Sequence, residues 1–215
     1  MTEDRVSFVA GHLRLEGRLS VPTAAPRAAV LCHPHPQYGG SMDNNVIDGL
    51  VSRLAAASIA TLRFNFRGVG ASEGSYGNLI GECEDARAAA AWLRERTGVG
   101  KVALAGYSFG AMVALHAGHD DPDVERLVAV APPLSMFGVD FLAGCAKPKL
   151  FLIGDRDQFC SPRDFERIVQ SLPESTTSRL LVGTGHFFGG VEDEVGRLVA
   201  EFLAGGNGTG HARET

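Results

Sequence analysis

Apolar residues along this chain follow two spacings, alternation or short unbroken runs that suit strands and a period near 3.6 that suits helices, and the two take turns. Val6 to Ala10 and Leu13 to Val21 alternate apolar and polar side chains around Gly11-His12, which predicts an antiparallel hairpin at one edge of a sheet. Pro22 to Arg27 reads as a loop and Ala28 to Cys32 as a short apolar strand. Asn44 to Ala57 carries Val46, Ile47, Leu50, Val51 and Leu54 at helical spacing, and Ile59 to Phe66 returns to strand character. Strand, helix and strand in succession make a parallel crossover.

The alternation continues. Leu79 to Arg96 is helical, Lys101 to Leu104 a buried strand, Ala111 to Ala117 a helix, and Val124 to Ala131 a strand closed by Pro132-Pro133. Lys149 to Ile153 is the next strand, and Ser161 to Leu172 a helix with Ser161 as cap and Pro162 in its first turn. Arg179 to Val182 predicts the last strand and Val191 to Leu203 a final amphipathic helix. The pattern is that of an α/β protein with a doubly wound, mostly parallel sheet. Only Leu134 to Lys147 separates two of the strands, which leaves room for one short helix and none for a large lid.

Composition narrows the reading. With 215 residues and 45% hydrophobic content, residues 1–204 form one globular domain with a single substantial core. Residues 205–215, rich in glycine and without apolar content, read as a flexible C-terminal tail. A formal charge of −5 with acids and bases interleaved offers no basic stripe for nucleic acid or anionic lipid, so the expected partner is a small molecule. No apolar run approaches a membrane span, and Met1-Thr2-Glu3-Asp4-Arg5 lacks the basic start and apolar core of a signal peptide. Cys32, Cys83, Cys145 and Cys160 have no metal-type pairing and read as reduced thiols, which points to the cytoplasm.

The chemistry centres on Ala105-Gly106-Tyr107-Ser108-Phe109-Gly110-Ala111, a serine between two glycines where a strand turns into a helix. Small residues on both sides let strand and helix pass closely, and the strained turn presents the hydroxyl. The new helix aims its unpaired N–H groups at the reacting oxygen, so Phe109 N–H is a candidate oxyanion donor. A serine hydroxyl needs an imidazole to take its proton and a carboxylate to orient that imidazole. Gly154-Asp155-Arg156-Asp157 follows one predicted strand and Gly183-Thr184-Gly185-His186 the last. Ser108, Asp157 and His186 thus fall just past the C-terminal ends of parallel strands, where open α/β sheets gather their sites. Asp155 is the rival acid, with its side chain expected on the opposite side of the turn.

A second oxyanion donor is expected in His33-Pro34-His35-Pro36-Gln37. Pro34 and Pro36 have no N–H, which leaves His33, His35 and Gln37, and His35 N–H is the choice. Two histidines also suggest a metal site, but an extended His-Pro-His turns its rings to opposite sides, and no metal is expected. Phe137, Phe141 and Leu142, with Phe187 and Phe188 beside the histidine, are candidates to line an acyl pocket, core packing being the alternative. Arg67-Gly68-Val69-Gly70 reads as a wall of the cleft, and Glu82, Glu84 and Asp85 as acids suited to the start of a helix.

From about residue 6 to residue 203 the chain resembles the α/β-hydrolase superfamily. His33-Pro34-His35-Pro36 with Tyr38-Gly39-Gly40, Leu62 to Gly70, Gly106-Tyr107-Ser108-Phe109-Gly110 and Gly185-His186-Phe187-Phe188 are similar to a group of small, lidless bacterial hydrolases. The resemblance implies an α/β-hydrolase fold: a mostly parallel eight-stranded sheet, helices on both faces and no large cap domain. It also implies a serine esterase without cofactor, with Ser108, Asp157 and His186 as triad and Phe109 and His35 as oxyanion donors. The expected activity is hydrolysis of short-chain carboxylic esters, thioesters and a binding protein without turnover being the alternatives. Nothing in the sequence reads on oligomeric state.

Overall fold

A computed structural model describes residues 3–205. The flexible tail expected over residues 205–215 lies, apart from Gly205, outside the described residues. Eight strands form one sheet: β1 (Asp4–Ala10), β2 (Leu13–Ser20), β3 (Arg27–Cys32), β4 (Ile59–Phe64), β5 (Val102–Tyr107), β6 (Val124–Val130), β7 (Lys149–Gly154) and β8 (Thr176–Leu181). Their spatial order is β1-β2-β4-β3-β5-β6-β7-β8. The β1–β2 and β2–β4 pairs are antiparallel and every other pair is parallel, so the hairpin does form one edge.

Among the described residues five α-helices cover the sheet: α1 (Asn45–Ala56), α2 (Ile80–Thr97), α3 (Phe109–Gly118), α4 (Pro162–Gln170) and α5 (Glu192–Leu203). Alternation along each strand divides the core in two. Ala29, Leu31, Ala103, Ala105, Val128 and Leu150 face α1 and α5. Val30, Leu104, Ala129, Phe151 and Ile153 face the side of α2, α3 and α4. Both faces of the central strands are dry, which is why they read as unbroken apolar runs rather than alternating ones. No large cap is inserted: the segment between β6 and β7 holds only a 3-10 turn, Asp140–Leu142, instead of the short helix expected there.

Two boundaries differ from the sequence pattern for a physical reason. β8 starts at Thr176, three residues before the predicted start, and pairs from Lys149↔Thr176 to Gly154↔Leu181. Its outer edge is open, so Thr176, Thr177 and Ser178 pair without being buried and escape a search for apolar runs. β4 ends just past Phe64: Asn65 N–H still donates to the Glu16 carbonyl of β2 at 3.0 Å, but Phe66 N–H turns to His33 Nε2 at 3.1 Å.

Candidate active site

Strand β5 runs into Ser108, whose φ of 55° and ψ of −118° lie on the left-handed side that a residue with a Cβ seldom occupies. Its peptide is tied on both sides: Ser108 N–H donates to the Val130 carbonyl at 2.8 Å, and Ser108 C=O accepts from Ala111 N–H at 3.0 Å. A Cβ at Gly106 would overlap the Gly110 carbonyl, and one at Gly110 the Cys32 carbonyl. The two glycines therefore let α3 start wedged between the ends of β5 and β3. The serine is half-buried, with its hydroxyl turned to the C-terminal edge of the sheet.

The acid and the base come from the next two strand ends, and those turns are stitched together. Asp155 N–H donates to the Leu181 carbonyl at 3.0 Å and Arg156 N–H to the Thr184 carbonyl at 2.9 Å. Asp155 Oδ1 accepts from Thr184 N–H at 3.2 Å, which spends the rival carboxylate between the turns. Asp157 points the other way. Its Oδ2 lies 2.9 Å from His186 Nδ1, and its Oδ1 accepts from Phe159 N–H at 2.8 Å. His186 Nε2 lies 3.0 Å from Ser108 Oγ. A carboxylate oxygen only accepts, so Nδ1 carries the proton and Nε2 offers its lone pair to the serine hydroxyl. Asp157 and His186 are 6% and 4% exposed, which keeps water from competing for this relay.

Tyr107 O–H donates to the His186 carbonyl at 3.1 Å, and burial beside Asp157 pushes its phenol well up, so it remains a donor. The Phe159 ring lies 4.5 Å from the His186 ring, edge-on, and Phe187 5.5 Å away. Phe187 is exposed, whereas Phe188 is buried in the core. Leu142 is fully buried and Phe141 stacks on His116 at 3.9 Å, near the end of α3 opposite to Ser108, so the structure does not bring these two to the triad. Phe137 is half-buried, on a segment that Ser135 ties to the Phe159 carbonyl through N–H and hydroxyl donors at 3.3 Å and 2.6 Å.

On the other flank of Ser108, the loop after β3 is set by a buried histidine. His33 Nδ1–H donates to the Pro34 carbonyl at 2.6 Å, and Nε2 accepts from Phe66 N–H. Burial pushes His33 down to about 4, so the ring is neutral, as both bonds require. In a planar trans peptide the C=O and the following N–H point in opposite directions. With Pro34 C=O held toward His33, the His35 N–H is directed away from it. The His35 carbonyl accepts from Tyr38 N–H at 3.1 Å and Gly40 N–H at 3.0 Å. Neither His35 N–H nor Phe109 N–H has an acceptor among the described residues.

Beneath this loop, two acids expected only to suit a helix dipole are buried instead. Glu82 accepts from Gly77 N–H at 2.7 Å and Leu79 N–H at 2.8 Å, holding Asn78 and Leu79 at φ of 52° and 75°. Asp85 accepts from Arg67 at its backbone N–H, 3.0 Å, and its guanidinium, 2.8 Å. The segment that follows β4 is thus fixed to the first turns of α2. Sequence reasoning missed Tyr107, Phe159 and Tyr76 as well. Tyr107 was legible as the elbow residue facing the same side as Ala105, whereas Phe159 and Tyr76 carry no local signal.

A family model described as serine aminopeptidase, S33, matches residues 25–143. An uncharacterized protein of Rickettsia prowazekii, RP471, is 34% identical over 201 residues, spanning 88% of this chain and 84% of its own. An α/β serine hydrolase homologue from Coxiella burnetii is similar in structure, with a TM-score of 0.87, 33% identity, and coverage of 94% of this chain and 98% of that one. A member of the α/β serine hydrolases without lid, from Xanthomonas campestris, gives a TM-score of 0.84 at 29% identity, covering 94% and 96%. With its Ser108–His186–Asp157 triad assembled on an eight-stranded, lidless sheet, the chain belongs to the serine aminopeptidase S33 family of α/β-hydrolases and is a relative of lidless bacterial serine hydrolases.

Proposed function

We propose that the protein hydrolyses short-chain carboxylic esters through an acyl-enzyme. The observation that carries the reading is the relay of 3.0 Å and 2.9 Å from Ser108 through His186 to Asp157. Ser108 Oγ attacks the ester carbonyl while His186 Nε2 takes its proton, and Asp157 stabilises the imidazolium that results. Phe109 N–H and His35 N–H receive the oxyanion. His186 returns the proton to the leaving alcohol, and a water activated in the same way releases the acid.

A free peptide amine, the substrate feature an aminopeptidase must hold, calls for a carboxylate facing the cleft. Four buried or turn carboxylates are already spent, Asp157 on His186 and Phe159, Asp155 on Thr184, Glu82 on Gly77 and Leu79, Asp85 on Arg67, so none of these is free to hold one. Phe159 and Phe187, whose rings lie against His186, are assigned to the acyl side, with Phe137 as a further candidate. Leu142 belongs to the core, and Phe141 packs against that core on His116. An open, lidless cleft suits a small acyl group. Among the described residues no helix is long and apolar enough to cross a membrane. The four cysteines are free thiols, the state expected of a reducing compartment, and on that ground we place its action in the cytoplasm.

Initial rates on p-nitrophenyl esters from acetate to palmitate, beside matched acyl-thioesters, test the reading, with Ser108→Ala as blank. Serine-dependent turnover that peaks at short oxygen esters is expected. Turnover retained by Ser108→Ala would refute the acyl-enzyme, and thioester rates far above the matched esters would reassign the substrate.

A further inference from the structure

Tyr76 lies on the connection between β4 and α2, away from every motif that marks the triad. Its hydroxyl oxygen is 3.2 Å from His35 Nε2. The other ring nitrogen of His35, Nδ1, accepts from Gln37 N–H at 3.2 Å. A nitrogen that accepts carries no proton, so the neutral ring has its proton on Nε2 and donates it to Tyr76 Oη. Burial lowers the His35 pKa against the opposing pull of Glu82, which favours the neutral ring over the imidazolium.

The residue so held is the one whose backbone N–H is read as an oxyanion donor. Its backbone is clamped on one side by His33 through Pro34 and on the other by the N–H groups of Tyr38 and Gly40. Its side chain is clamped by Tyr76, which comes from a different connection. The Tyr76 ring also lies 6.0 Å from the Phe109 ring, and the His35 ring 4.7 Å from it. One tyrosine therefore touches both residues that supply the N–H pair. It is itself anchored, because Glu82 accepts from Gly77 N–H, the next residue along.

We propose that Tyr76 is a positioning residue of the oxyanion hole, acting through the His35 imidazole to fix the His35 N–H relative to that of Phe109. This rests on the reading of His35 N–H as oxyanion donor. Loss of the tie leaves substrate binding intact and weakens only the contact made as charge develops on the carbonyl oxygen, so it lowers kcat and spares KM.

The test is a double-mutant cycle of Tyr76→Phe, which keeps the ring, and His35→Asn, whose side-chain oxygen still accepts from Gln37 N–H. Each single variant is expected to lose roughly ten- to a hundredfold in kcat on p-nitrophenyl acetate, with KM within about twofold. The double variant should be no slower than the worse single one, because both remove the same tie. Multiplicative losses, an unchanged kcat in Tyr76→Phe, or a loss confined to KM would each overturn the proposal. Nitrogen NMR of the imidazoles reads the tie without turnover: His35 should be the Nε2–H tautomer in the wild type, with its Nε2 resonance displaced in Tyr76→Phe. If the wild type turned over no ester, the ester reading would fall, while a His35 Nε2 resonance unchanged in Tyr76→Phe would refute the tie on its own.

Discussion

His33 offers a quantitative check on how the loop after β3 is held. The ring is fully buried and bonded as a neutral imidazole, with its ordinary value of 6.5 brought down to about 4. Folding favours the neutral form, so His33 takes nothing from stability above pH 6.5. Between 6.5 and about 4 the unfolded chain takes up a proton that the fold refuses, and stability falls as pH falls. Below about 4 both states are protonated and the loss levels off. The interval corresponds to about 3 kcal/mol at 1.4 kcal/mol per decade, a large share of the 5–15 kcal/mol typical of a whole domain.

Urea unfolding from about pH 7.5 to about pH 4.5 reads this directly when the wild type is set against His33→Gln. The glutamine oxygen can still accept from Phe66 N–H but does not titrate. The variant carries a constant offset, and the slope is what matters. Burial lowers His35 and His116 too, and these are common to both proteins, so their contribution cancels in the difference. The wild type should lose roughly 2 to 3 kcal/mol more than the variant over this range. Parallel curves would refute the claim that the buried ring is neutral and bonded at both nitrogens.

Four further substitutions separate catalytic geometry from scaffold. Asp157→Asn should lower kcat by about 10⁴, since an amide no longer stabilises the imidazolium or fixes its tautomer, whereas Asp155→Asn, which alters one hydrogen bond between turns, should stay within about tenfold; steady-state rates on one short ester decide, and the reverse ranking would reassign the acid. Gly110→Ala forces a Cβ into the Cys32 and His33 carbonyls, which belong to backbone and cannot swing aside. It should destabilise by about 3 kcal/mol or more in urea melts, and a wild-type midpoint would mean that the start of α3 is loosely seated. Asp85→Ala leaves the Arg67 guanidinium without its buried partner and should cost about 3 kcal/mol in the same assay, although Arg67 keeps Glu84 at 3.0 Å.

What the sequence carried openly was whatever the chain writes locally. The order of strands and helices, the elbow and the two turns bearing Asp157 and His186 each rest on apolar spacing or on small residues at fixed offsets, and each is found in that order, apart from the polar start of β8 and the helix expected between β6 and β7. What it did not carry were the bonds between segments far apart in the chain. His33 to Phe66, Asp85 to Arg67, and Asp155 to Thr184 join loops that no periodicity relates. The acids of α2 show why. Glu82 and Asp85 stand in the first turns of a helix, where a charge at the surface and a charge under a loop are written with the same letters.

The hidden bonds also explain how a site without a cap can be rigid. A loop beyond a strand end has lost its ladder, so its backbone groups need partners from elsewhere or remain mobile. Here the partners are buried polar side chains, His33, Asn65, Glu82, Asp85 and Asp157, each bonded to a backbone N–H of a connection at the C-terminal edge of the sheet. Burying such groups is unfavourable unless every bond is made, and made together they leave those connections one arrangement. In an enzyme with a large lid, closure over the substrate can complete the donor set. On the mechanism proposed above, the oxyanion donors of this lidless protein must already be in place when the substrate arrives, and the buried polar layer under the loops is what would hold them there.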